Sequence, residues 1–119
     1  MAFESDLVAV LAPLGGSVYP AGAVPAPLPT TKYTVYAQIG GPAINYADDL
    51  QPNLIQAHMQ ITVWSKQRAE AFAAMRAIEP AMRAAQAFTS RPLGAPESDY
   101  DADTKLHGAR QDYLCTHAR

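Results

Sequence analysis

"LIQAHMQITVWSKQRAEAFAAMRAIEPAMRAAQAF" runs from Leu54 to Phe88 and changes its hydrophobic period in the middle. In the first part Ile55, Ala57, Met59, Ile61 and Val63 alternate with Gln56, His58, Gln60 and Thr62. Side chains two apart on a strand share a face, so this is a long strand with one buried and one wetted side. After Trp64 the spacing becomes helical. Ala71, Ala74, Met75, Ile78, Met82 and Ala85 form one apolar stripe, and Lys66, Glu70, Arg76 and Arg83 lie elsewhere. Ser65 is placed to cap this helix. Pro80 is expected to kink or interrupt it, because proline lacks the backbone donor and crowds the preceding turn.

Working outward, "KYTVYAQIG" (Lys32–Gly40) is rich in aromatic and β-branched residues and reads as a strand. Between it and the long strand lies "GPAINYADDLQPN", a loop bounded by Gly-Pro and Pro-Asn. The two strands are expected to form an antiparallel hairpin with a large tip. Upstream, Phe3, Leu7, Val10, Leu11 and Leu14 recur at helical spacing, and Pro13 with Gly15-Gly16 is expected to stop that helix. "SVYP" (Ser17–Pro20) is a very short strand. The following segment carries Pro25, Pro27 and Pro29 and reads as an extended surface loop. Downstream, "TSRPLGAPES" reads as a loop and "LHGARQDYLCTHA" as a closing strand with weak alternation. The expected fold is α+β, a mainly antiparallel sheet of about four to five strands with two helices packed on one face.

A chain of 119 residues, 49% of them apolar, has the material for one core, and a single domain over residues 1–119 is expected. A net charge of −2 gives no pull toward nucleic acid or an anionic membrane. The one cysteine, Cys115, excludes an internal disulfide framework and fits a reducing compartment. No apolar run approaches the roughly 20 residues that span a bilayer. "MAFESDLVAV" is acidic where a signal peptide is basic. Together these features point to a protein made in a cytoplasm.

Chemistry-bearing motifs are sparse. In "ESDYDADTKLHGAR" (Glu97–Arg110) the acids Asp99, Asp101 and Asp103 fit the first, third and fifth places of a calcium loop. The sixth place is Thr104 where the sharp turn needs Gly, and the twelfth is Arg110 where a bidentate Glu is needed. Read as a strand, Glu97, Asp99, Asp101 and Asp103 form one solvated stripe that protects a sheet edge. His58, His107, His117 and Cys115 lack the paired spacing of a zinc site. There is no Gly-x-Ser-x-Gly elbow, phosphate loop or dinucleotide fingerprint, so no catalytic residue, metal or cofactor is expected. The polar strand face around His58 is either a binding face or a solvated one. What does stand out is two long Pro/Gly-rich loops, which in a small domain are usually functional or disordered. They carry Val24 and Leu28 in one, and Ile44, Tyr46, Asp48 and Asp49 in the other.

Over most of its length the chain resembles the tail-completion or tail-terminator proteins of long-tailed bacteriophages and prophages. The resemblance is carried by Val18-Tyr19-Pro20 before a proline-containing loop, by Tyr33-Thr34-Val35-Tyr36, by "IQAHMQITVWS" opening into the long helix, and by Asp103-Thr104 ahead of Leu106 in an acid-rich turn. Pro80 and Gly108-Ala109 depart from the pattern and put helix continuity and the pairing of the last strand in question. The resemblance implies a non-enzymatic assembly role. The chain would form a ring with copies of itself on the tail tube, contact the tail-tube protein and a head-completion or connector protein, and reside in the host cytoplasm and then in the virion tail. The competing readings are a monomeric peptide-binding module with an open sheet edge and a small metal-dependent hydrolase using His58, the Asp cluster or Cys115.

Overall fold

The computed structural model describes residues 2–41 and 53–118. Eight elements follow in order: α1 (Ala2–Gly15), β1 (Ser17–Pro20), β2 (Tyr33–Gln38), β3 (Leu54–Ser65), α2 (Arg68–Ala84), β4 (Thr89–Pro92), β5 (Glu97–Asp101) and β6 (Leu106–Ala118). The fold is α+β. One mixed, mostly antiparallel open sheet has the strand order β1-β2-β3-β6-β4, and β5 also pairs with β6. The sheet has six strands rather than four to five. The extra one is β4, which lies inside the segment read as a loop; four residues are too few to show a period.

β2 and β3 form the expected antiparallel hairpin, from Tyr33 opposite Trp64 to Gln38 opposite Met59. Its tip, with the expected contact residues Ile44, Tyr46, Asp48 and Asp49, lies outside the described residues. β6 pairs with β3 along the whole of β3, including Trp64 opposite Gly108 and Val63 opposite Ala109. β1 pairs with β2 in parallel, and the proline-bearing segment makes the crossover between them.

Alternation on β3 sorts the layers as its sequence implies. Ala57, Met59, Ile61 and Val63 are buried with Phe3, Leu7 and Leu11 of α1 and with Ala71, Met75, Ile78 and Met82 of α2 in one core cluster. Both helices therefore cover the same face of the sheet. On β6 the matching positions are Ala109, Gln111, Tyr113, Cys115 and His117, all buried. Two polar side chains at core positions are what weakened the apparent alternation.

Three local expectations are corrected. First, α1 runs through Pro13 to Gly15. Pro13 is exposed in the last turn, where little helix remains to be disrupted, and the stop comes at Gly16, whose φ of 76° is left-handed. Second, α2 is not split at Pro80. Pro80 is on the solvent side, where the bereaved carbonyl one turn back can turn to water, and buried Ile78 and Met82 on either side hold both turns to the sheet. Third, Ser65 is not the N-cap. It ends β3, and Gln67 takes the cap position without a side-chain cap bond. Buried Ser65 instead accepts a hydrogen bond from the Gln67 amide and donates one to Glu70, which ties the first turn of the helix to the strand.

Candidate interface

Among the described residues, no helix or strand lies over the face of the sheet away from the helices. Residues directly opposite one another in paired strands share a face, so the register fixes its rows. One row crosses four strands as Tyr33, Trp64, Gly108 and Asp99. The next is Val35, Thr62, Arg110 and Glu97. Gly108 explains how the first row packs. A Cβ there would sit 2.9 Å from Trp64 Cζ3, so the indole lies directly against the strand and glycine is the residue that admits it. Tyr19 meets Tyr33 edge-on, with ring centroids 6.2 Å apart. This small aromatic floor sits at one end of the open face. Tyr33 is buried, and burial first, then the Asp101 carboxylate, raises its phenol above the ordinary value.

The acid stripe borders this floor. Glu97, Asp99 and Asp101 lie on β5, at outer-face positions. Asp103 does not share that strand, which corrects the expected run of four; it sits in the turn that joins β5 to β6. There the Asp103 amide donates to Asp101 Oδ1 at 3.0 Å, and Lys105 adopts a left-handed φ of 59°. The turn is thus an Asx-type reversal rather than a calcium loop. Glu97 accepts from Arg110 at 2.7 Å. Trp64, Asp99, Tyr100, Asp101, Ala102 and Asp103 line a shallow cavity of about 380 Å³.

Farther along the same face, His58 Nε2 lies 2.8 Å from Asp112 Oδ2. His58 was legible as a polar strand residue, but its partner sits 54 positions later and no spacing rule links them. The polar residues of β3 are half-buried rather than exposed, because the neighbouring strands crowd them. Of the expected loop contacts, Val24 is half-buried and Leu28 is exposed in the segment between β1 and β2.

Among the described residues, no three His, Cys, Asp or Glu side chains converge as a metal site. Cys115 is fully buried opposite Ser90, and burial pushes its thiol from 9.0 up to about 11, with the Ser90 hydroxyl opposing. A thiol so placed is protonated and inert. We expect no reaction with a disulfide reagent at pH 8 until denaturant is added. Because its folded pKa is raised, this contribution to stability is full below pH 9 and is lost as pH climbs toward about 11. Burial also raises Tyr113, which adds to the loss above pH 10. Urea midpoints should therefore fall across this range, less steeply for Cys115→Ala; a flat profile would contradict the burial. No helix among the described residues is long and apolar enough to cross a membrane.

A family model described as tail completion protein gp17 matches residues 5–117 of the chain. No curated protein matches it.

Proposed function

The chain belongs to the tail completion protein gp17 family, a family of structural phage tail proteins, and from that premise we propose that it caps the tail tube as a ring and helps join tail to head. The match over nearly the whole chain carries the reading. It is supported by a fold in which, among the described residues, both helices pack on one face of the sheet and no helix or strand covers the other. The chain acts as one unit over residues 1–119 and does no chemistry. Its partners are copies of itself, the tail-tube protein and a head-completion or connector protein. Val24 and Leu28 in one loop, and Ile44, Tyr46, Asp48 and Asp49 in the other, are the contacts proposed with tail subunits. Apolar side chains that gain by leaving water, set beside solvated acids, suit a loop that must remain soluble until it docks.

Two experiments test this. Phage lacking the gene should make tails of abnormal length or heads without tails, and the protein supplied in trans should restore plaques. Normal particles without it would overturn the assembly role. Replacing residues 42–52 by Asn-Gly, a pair suited to a tight hairpin, should leave the thermal transition in place and yet block infectious tails. Wild-type plaque numbers from the shortened protein would make that loop a passive connector.

A further inference from the structure

We propose that the open face of the sheet is covered, in the assembled ring, by helix α2 of the neighbouring copy. This rests on the ring reading above and specifies its contact. The 44 residues of the six strands, each covering about 3.4 Å by about 4.8 Å, give the open face roughly 700 Å². That is about what each partner commits to a standard interface, about 800 Å² per side.

Charge selects what covers it. Among the described residues, Asp99, Asp101 and Asp103 beside Trp64 take part in no ion pair, while Arg110, the guanidinium on the neighbouring strand, is already used by Glu97. Lys105 in the same turn offsets one of the three carboxylates, so the acidic, aromatic end keeps an excess of negative charge. The exposed side of α2 has the opposite character. Arg68 and Arg76 are exposed, Arg68 stands over the Phe72 ring at 4.6 Å, and neither enters an ion pair among the described residues. Between them the solvent side is flat, with exposed Ala69 and Ala73, so a helix can approach a sheet closely there. A guanidinium placed over Trp64 between carboxylates gains both charge pairing and ring attraction.

The geometry agrees with a ring. The helix layer and the open face are opposite sides of one molecule, so the contact is head-to-tail, and only contacts of that kind close rings larger than two. Face-to-face pairing of two open sheets would stop at a dimer and would offer the carboxylates a guanidinium, Arg110, that is already paired.

The test is a charge exchange in full-length protein, scored by plaque complementation of a gene deletion. Asp99→Lys with Asp101→Lys, and separately Arg68→Glu with Arg76→Glu, should each lower plaque yield by at least about 100-fold while the thermal transition persists. The fourfold variant should recover to within about tenfold of wild type. Should a reversal fail to fold, Asp99→Asn with Asp101→Asn and Arg68→Gln with Arg76→Gln should each give a partial loss. If the paired variants complement fully, or the fourfold variant stays as defective as they are, the contact is not this one. A failure of the assembly role itself would show differently, as normal tails from the deletion with no protein supplied.

Discussion

Ile61→Asp should leave the protein without a cooperative thermal transition, whereas Thr62→Asp, one residue away, should melt much as wild type does. Ile61 is fully buried, lies between Tyr36 and Gln111 in the register, and belongs to the core cluster that both helices cover. A carboxylate there meets no cation. Burying a charged group without a partner costs several kcal/mol or forces protonation, against a total stability of about 5–15 kcal/mol for a domain. Thr62 points to the open face between Val35 and Arg110. An Asp at that position remains hydrated and has a guanidinium beside it. Circular dichroism melts of the two variants check this directly. Equal melting temperatures would mean that the strand's faces are assigned the wrong way round.

That contrast is legible in the chain because β3 alternates and, from Gln56 to Ser65, the burial follows the alternation residue by residue; Ile55, expected on the buried side, is half-buried near the strand's start. The stripe of α2 was legible for the same reason, as Ala71, Ala74, Met75, Ile78 and Met82 are all buried. Features that depend on two distant segments were not. β4 pairs with β6 through Ser90 opposite Cys115, and its four residues carry no signal of their own. Gly108 read as a weak point in a strand until Trp64, 44 positions earlier and opposite it in the register, was seen to lie against it. Neither proline breaks its helix: Pro13 and Pro80 both sit on exposed helix surface, where the penalty is smallest and tertiary packing outweighs propensity. On the candidate interface, the chain announced an acid stripe and a polar strand face separately. Only the strand order puts Asp99 beside Trp64, and therefore only the fold makes them one surface.

Gln111→Leu is expected to be the most costly change of a polar side chain. Gln111 is 2% exposed on the core side of β6. Its Nε2 donates to Glu79 Oε1 at 2.8 Å and to the Gly94 carbonyl at 2.9 Å, and its Oε1 accepts from the fully buried Tyr113 hydroxyl at 2.8 Å. One amide thus joins α2, the link between β4 and β5, and its own strand. Leucine fills similar space but satisfies none of the three. Glu79 is half-exposed and can turn to Arg83 or to water, but the Tyr113 hydroxyl cannot. Leaving one such group orphaned costs roughly 1–3 kcal/mol, which should appear as a clear drop in the urea midpoint with an unchanged slope. Tyr113→Phe alone should cost less, because Gln111 keeps its two other bonds. In the double variant the orphaned hydroxyl is gone, so its loss should be smaller than the sum of the single losses. Strict additivity would show that the hydroxyl does not depend on Gln111, and that the register of β6 is held by its ladder and apolar contacts alone.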